Sequence, residues 1–442
     1  MKIEKVKTFI LTFLVGLSLV MTFTLWNSET NYDVNEEDRD PIPASLNGNA
    51  DETKKSVIKP NMIIFHMEEG QPKGFLNKQK ETQLYDQMLN WALFDFNPDY
   101  EGEDFSPNDL NQIEVIFPTA IPADFIADLF RVDKDSTVIP ESTFDRMYIS
   151  MDEDRTKNHI HFRNTENGIT INASIQSAAT VMDSLRNKYN SSNMVEYTLF
   201  ENSANQRIYL PKEANMKKHI VRYQTIGITP LKNLLFVNPS ALHWTRISAD
   251  SETFTDGYRE LNKNTYHMDF MNMTDFTNGD IKREQLINET IQWLNAHKGW
   301  TTHKDYQYVL SDLDKSTVKY RLNYNGYSIF EKDIYSAITI QWNNQTVYQY
   351  NRPLIQLNEA EYMQELGQEE LIDANELISI LELNKQYQSM TIFDVALGYK
   401  IEELGGQVFK LTPAWFIKGH SGWSEFKEPK EVGGVDSAVE SN

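Results

Sequence analysis

Read for the spacing of its apolar positions, the chain divides into one uncharged run near its start and a long alternation of strand and helix patterns after it. From Thr8 to Trp26 there are 19 consecutive residues without a charge, close to the roughly 20 needed to cross a bilayer as a helix. No later stretch approaches 18 uncharged apolar residues, so a single crossing is expected. Residues 27–60, NSETNYDVNEEDRDPIPASLNGNADETKKSVIKP, are polar, acidic in the middle and broken by Pro41, Pro43 and Gly48. Such a composition buries too little apolar surface to offset its ordering entropy. Residues 27–57 are therefore expected to be a flexible acidic tether.

Beyond the tether the periodicity switches repeatedly between two and 3.6. NMIIFHM (61–67) predicts a strand, and ETQLYDQMLNWALFDF (81–96) places Leu84, Met88, Trp91 and Leu93 near helical spacing. IEVIFP (113–118) predicts a strand ended by its proline, and PADFIADLF (122–130) a helix with proline at its start. RMYISMDED, HIHFRN and ITINASI read as successive strands, with turns at residues 152–154 and at Asn167-Gly168. These make a first α+β domain, 58–175. A second, 176–282, opens with the helix SIQSAATVMDSLRNKY (174–189) and continues with MVEYTLF, RIYLP and HIVRYQTIGI. In its later part Asp256-Gly257 signals a hairpin. A third, 283–426, opens with the helix REQLINETIQWLNAH (283–297) and runs through YQYVLSDL, VKYRLNYNGYSIF, AITIQWNNQTVYQYNRPLIQL, the helix DANELISILELN and the strand FKLTPAWFIK. The order of one helix and then three or four strands occurs twice, which points to a duplication relating the last two domains. Residues 427–442 are charged and contain Gly and Ser, as a frayed tail would. The expected fold class is α+β: one transmembrane helix, then several domains of mostly antiparallel sheets with helices.

The flanks of the uncharged run give it a direction. Lys2, Lys5 and Lys7 outweigh Glu4, so residues 1–7 stay in the cytoplasm and everything after Trp26 lies outside. A cleaved secretion signal has an apolar region of about 7–15 residues and a small-residue cleavage site. Here the run is longer and ends in Leu25-Trp26-Asn27-Ser28-Glu29, and with no cysteine in the chain lipoprotein processing is excluded. The formal charge is −22, and since the first 26 residues carry three lysines and one glutamate, −24 falls on the remainder. That argues against nucleic acid and anionic lipid as partners of the outer part, because both attract basic surfaces. An extracytoplasmic part of this size without disulfides fits a Gram-positive surface protein better than a small secreted animal domain.

Catalytic patterns fail one by one. GHSGW (419–423) has Trp423 where a nucleophile elbow needs glycine, which leaves Ser421 as a turn residue. Ser56-x-x-Lys59, Ser424-x-x-Lys427 and Ser203-Ala204-Asn205 match fragments of serine–lysine chemistry, but no Lys-Thr-Gly completes them. His159-x-His161 would set two imidazoles on one strand face, yet no third ligand is spaced for zinc, and a half-exposed strand with surface histidines is the simpler reading. Nothing singles out a pair among the 64 Asp and Glu for glycoside hydrolysis. No catalytic residue, metal site or cofactor is expected.

Several stretches together carry a resemblance. The basic start and anchor ending in TFTLW, then TDGYRELN (255–262), NGYSIF (325–330), FDVALGY (393–399) and LTPAWFIK (411–418), in that order, resemble the YycH family along essentially the whole chain. The resemblance implies a Gram-positive (Firmicutes) membrane protein that associates with the related single-pass protein YycI. The two would modulate WalK (YycG), the sensor histidine kinase of a two-component system for cell-wall homeostasis. It also implies three outer domains, the last two resembling the fold of YycI, and no catalytic residues.

A partner-binding role would show on the anchor itself. At about 100° per residue, five of the six small or hydroxyl residues, Thr8, Thr12, Gly16, Ser18 and Thr22, fall within one arc of about 160°, and Thr24 lies outside it. Phe9, Ile10, Phe13, Leu14, Leu17, Met21 and Leu25 take the opposite arc. Thr8, Thr12 and Gly16 have the small-xxx-small spacing that lets helix backbones approach closely in lipid. Two function classes follow: a regulatory protein binding kinase and sister protein through this face and its outer domains, or a membrane-tethered enzyme or ligand binder acting on wall polymers.

Overall fold

The computed structural model describes residues 44–429, apart from 68–69, 101–105, 108, 134–137, 152–158, 192, 202–206, 215, 275–280, 303–304, 331–332 and 359–363; of the first 43 residues it describes 7, 11, 14–19 and 21. The chain forms two compact units, Met1–Ile42 and Pro43–Asn442. In the first, residues 14–19 are helical and exposed, and they include Gly16 and Ser18. A Cβ built at Gly16 meets no atom within 4 Å. Thr8, Thr12 and Thr22 lie outside the described residues. Among the described residues no helix is long and apolar enough to cross a membrane.

The second unit is built on three sheets. The first takes the first ten strands of the chain: β1 (Met62–His66), β2 (Lys73–Phe75), β3 (Ala92–Asp99), β4 (Gln112–Pro122), β5 (Arg131–Val132), β6 (Thr143–Ser150), β7 (Ile160–Arg163), β8 (Thr170–Ile175), β9 (Met194–Glu201) and β10 (Arg207–Pro211). Their order is β10-β9-β2-β1-β4-β6-β7-β8-β3-β5, antiparallel except for the β3–β5 pair. β11 (Lys217–Thr225) starts a second sheet and leaves it at once. The chain then builds a third sheet from β12 (His243–Arg246), β13 (Glu252–Thr255), β14 (Arg259–Lys263), β15 (His267–Asn272), β16 (Tyr306–Leu313), β17 (Thr317–Tyr324), β18 (Tyr327–Ser328), β19 (Ala337–Asn343) and β20 (Thr346–Pro353). Its order is β12-β13-β14-β15-β20-β19-β17-β16, with β18 beside β17. Finally β21 (Ile355–Leu357), β22 (Gln364–Gln368), β23 (Asp394–Gly405), β24 (Val408–Gly419) and β25 (Gly422–Glu425) return to β11 and complete the second sheet.

The sheets cut across the boundaries expected from sequence. β9 and β10, expected in the central domain, pair with β2 of the first sheet. β12–β15, also expected there, join β20 of the third sheet. The two helix-then-strand runs therefore feed different sheets. Pairing of distant strands decides this, and the order of elements along the chain carries no record of it.

Two local readings also change. The helix of the 81–96 region is Lys78–Met88, capped by the Asn77 side chain on the Gln79 N–H, and Leu93 belongs to β3. Leu93 and Phe94 pair with Ile175 and Ser174, so sheet pairing overrides the near-helical spacing there. β4 passes through Pro118 to Pro122; a register shift between Ile116 and Ile121 accommodates the prolines.

Residues 44–57, expected in the tether, are docked. The Leu46, Gly48 and Asn49 N–H groups donate to the carbonyls of His297, Lys298 and Trp300 at 2.9, 3.0 and 2.9 Å. Leu46 and Val57 are buried. Apolar residues placed singly in a polar stretch anchor it where composition alone predicts none.

β4 explains the centre of the first sheet. All of Gln112–Phe117 is buried, so both faces are covered. Ile113, Val115 and Phe117 enter the main core, while Ile64, Ile116, Tyr197 and Tyr209 cluster on the other side. Glu114 shares that second side.

Candidate functional site: a cleft where three sheets meet

The second side of the first sheet carries a row of directly opposed residues. Ile64 faces Glu114, Glu114 faces Tyr148, Tyr148 faces His161 and His161 faces Asn172, across β1, β4, β6, β7 and β8. Glu114 is 1% exposed, so its charge requires partners. It accepts from Tyr209 Oη at 2.8 Å and Tyr148 Oη at 3.2 Å, with His66 Nε2 at 3.1 Å and Arg146 Nε at 3.3 Å. Burial pushes its carboxyl upward, but the His66 hydrogen bond and the charges of Arg146, His66 and Arg207 outweigh it and hold the group below its ordinary value. Burial and the adjacent Glu114 carboxylate push both tyrosine hydroxyls up. A carboxylate with this many donors is a fixed anion rather than a proton-transfer group. Tyr209 lies on β10, four strands from β4, a gap of roughly 19 Å in a flat sheet. Its hydrogen bond to Glu114 therefore requires the β2–β9–β10 arm to curl over this face.

The curled arm forms one wall of a cavity of about 90 Å³. Met62, Tyr197 and Tyr209 line it from the first sheet, Arg321 and Tyr327 from the third, and Asp394, Trp415 and Lys418 from the second. The sheets are held close around it. Phe330 N–H donates to the Tyr399 carbonyl at 3.1 Å, and Ile329 and Tyr399 form an isolated parallel bridge between β23 and the segment after β18. Gly398 sits at this crossing, where a Cβ would fall on the Phe330 ring and lie 2.6 Å from the Ser328 carbonyl oxygen. Gln79 Nε2 donates to Asn325 Oδ1 at 2.7 Å. Lys78 Nζ bonds the Asn61 carbonyl and Glu81, each at 2.8 Å.

Asp394 and Lys418 are cross-strand partners on β23 and β24, and both line the cavity. Asp394 accepts the Val395 N–H at 2.8 Å. Burial raises its carboxyl to about 6, against the lowering effects of Lys418, the Val395 N–H and Arg146. Arg321 is 3% exposed and donates to the Ile329 and Phe330 carbonyls at 3.2 and 3.5 Å. The cavity thus combines aromatic and apolar walls with a few convergent polar groups, the usual composition of a small-molecule site.

Residues singled out from sequence lie elsewhere or take other roles. His159 and His161 are 6% and 5% exposed, not surface residues; His161 stands directly opposite Tyr148 on the covered face that holds Glu114. His161 Nδ1 is 2.8 Å from Asn172 Oδ1. Among the described residues no three His, Asp or Glu side chains are grouped to hold a metal ion. Ser421 occupies the tight turn between β24 and β25, where Gly419 pairs with Gly422. Ser56 Oγ accepts the Thr53 N–H at 2.8 Å in a capping box, and Ser424 Oγ bonds the Ile417 carbonyl at 3.4 Å. The Ser203-Ala204-Asn205 fragment lies outside the described residues. Glu114 and Asp394 went unread. An acid inside the apolar run IEVIF was the available signal for Glu114.

Family models match nearly the whole chain: the YycH protein N-terminal domain over residues 4–191 and the YycH protein C-terminal domain over 205–429. The chain belongs to the YycH family. It is 22% identical over 446 residues to the two-component system WalR/WalK regulatory protein YycH of Bacillus subtilis (strain 168), covering 95% of each chain. The crystal structure of YycH from Bacillus subtilis superposes with a TM-score of 0.66 at 19% identity, over 86% of this chain and 99% of the other. That likeness gives the YycH fold to the three-sheet unit.

Proposed function

We propose that this YycH-family chain is an accessory regulator of a WalR/WalK-type two-component system, anchored in the cell membrane by residues 8–26 with its bulk outside. The observation that carries the reading is the match to the Bacillus subtilis regulator over 95% of both chains. In this reading it works by binding, not by chemistry: with a YycI-like single-pass partner it contacts the WalK sensor kinase and sets its activity. The Thr8, Thr12, Gly16, Ser18 and Thr22 face of the anchor supplies the contact within the membrane. In lipid, helix association depends on close packing and interhelical hydrogen bonds, because no hydrophobic drive operates between helices there.

The test is a membrane two-hybrid assay against the kinase and the YycI-like protein. Gly16→Leu, with or without Thr12→Leu, is expected to weaken association while the chain still inserts. Leu17→Phe, on the lipid-facing arc, is expected to leave it intact. Signals for Gly16→Leu equal to wild type would remove the anchor from the interface.

A further inference from the structure

We propose that the cleft between the three sheets binds a small ligand carrying both an ammonium and a carboxylate, in the manner of a free amino acid or short peptide. This goes beyond the regulatory reading and does not depend on it.

Three observations meet at the site. The first is size: a cavity of about 90 Å³ has room for a small polar group with part of its side chain. The second is the polar pair. Asp394 and Lys418 stand side by side on neighbouring strands and both face the cavity, yet no ion pair joins them. Among the described residues Asp394 takes one hydrogen bond, from its neighbour's N–H, while the charges of Lys418 and Arg146 act on it. Burial outweighs those cations and raises the carboxylate's proton affinity. An ammonium at Asp394 and a carboxylate at Lys418 would complete both in a partly desolvated place, where charge-assisted hydrogen bonds are strongest. The third observation is the wall. Met62, Val195, Leu397 and Trp415 offer apolar surface for a side chain, and Trp423, its ring centroid 4.3 Å from that of Phe330, is held in place at the rim.

The measurement uses the full chain in detergent micelles. The twenty free amino acids and their alanyl dipeptides are screened by saturation-transfer NMR, and binders are titrated by calorimetry. At least one compound is expected to bind saturably. Its N-acetyl form and its C-terminal amide are each expected to bind about tenfold more weakly or worse, which needs no mutant protein. Asp394→Asn is expected to lose discrimination against the N-acetyl form, and Lys418→Met against the amide. No saturable binder in the panel would overturn the proposal. So would binding that is unchanged by acetylation and amidation, or unchanged in both variants with their melting temperatures preserved.

Discussion

The Asn49 N–H donates to the Trp300 carbonyl at 2.9 Å, and the two residues form an isolated antiparallel bridge 251 positions apart in the chain. This contact turns the segment entering the folded unit into part of it. Trp300 is 1% exposed, and its indole donates to Asn295 Oδ1 at 2.8 Å. Asn295 also exchanges hydrogen bonds with the Glu52 backbone, at 3.2 and 2.8 Å. One asparagine thus ties the entering segment to the end of helix Arg283–Ala296.

Gly48 is the sensitive point of this junction. A Cβ there falls on the Trp300 carbonyl and lies 2.6 Å from the Lys298 carbonyl oxygen, and backbone cannot swing aside as a side chain can. Gly48→Ala is expected to destabilise the folded unit by about 1–3 kcal/mol, the usual cost of overpacking. Replacing Asp33–Asp40 by a Gly/Ser run of equal length is expected to leave its stability unchanged. Urea unfolding of both variants checks the pair.

The second prediction concerns Glu114. Removing its charge leaves Arg146, His66 and two tyrosine hydroxyls without their shared acceptor on a covered face. Breaking a buried charge pair by removing one partner costs about 3–5 kcal/mol. Glu114→Leu is therefore expected to unfold at markedly lower urea, and Glu114→Gln, which keeps an acceptor, at an intermediate concentration. If leucine were as stable as wild type, the network would not be what holds the β9–β10 arm down.

What the sequence made legible follows from how local each signal is. The helix Ala374–Leu383 was readable because its Asp373 cap lies next to its apolar stripe, and Asp373 accepts the Asn375 and Glu376 N–H groups. The hairpin at Asp256-Gly257 was readable too: Gly257 has φ +94°, which glycine adopts without strain, and Asp256 Oδ1 takes the Tyr258 and Arg259 N–H groups. Glu114 was not, because its partners His66, Tyr148 and Tyr209 lie 48, 34 and 95 positions away. Asp394 and Lys418 failed for the same reason: their meeting depends on the register of a long hairpin. Leu93 misled because a helix and a strand abut within three residues, and the apolar spacing runs across the join.

A third prediction tests the crossing of β23 over residues 328–330. Gly398→Ala places a methyl group against Phe330 and the Ser328 carbonyl, so the second and third sheets must part to admit it. The expected cost is about 1–3 kcal/mol. Gly419→Ala, on the same hairpin, meets only Met390 Cε at 3.7 Å and the Thr391 carbonyl at 3.8 Å, which is ordinary contact. It is expected to be neutral or slightly stabilising, since alanine also restricts the unfolded chain. Equal melting temperatures for the two variants would mean that the crossing tolerates separation.

The last prediction is a dependence on pH centred on His297. The residue is 3% exposed, with Nδ1 2.7 Å from the Trp293 carbonyl and Nε2 3.4 Å from Tyr350 Oη. Arg352, fully buried, donates to the same tyrosine oxygen at 2.8 Å, so the tyrosine proton points to His297 and the imidazole must accept it. Its proton therefore sits on Nδ1 and the ring is neutral. Burial, with repulsion from Arg352 added, lowers the group from its ordinary value near 6.5 to about 3. A basic group with a lowered folded-state value binds protons more readily when unfolded. Its contribution is thus fully present above pH 6.5 and is lost as pH falls from there toward 3. Each tenfold change in proton affinity is worth about 1.4 kcal/mol, so the loss reaches the order of 5 kcal/mol by pH 3. Asp394 works in the opposite sense, since its raised carboxyl favours the folded state as pH drops through 6. The wild-type profile mixes these with other shifted buried groups, Glu114 and His219 among them, and the difference from His297→Asn isolates the histidine. The variant keeps a donor toward Trp293 and has nothing to titrate. It is expected to be less stable than wild type at pH 8 and to approach it as the pH is lowered to 4. A stability gap that stays constant across that range would mean that His297 is protonated as easily in the folded protein as in the unfolded chain.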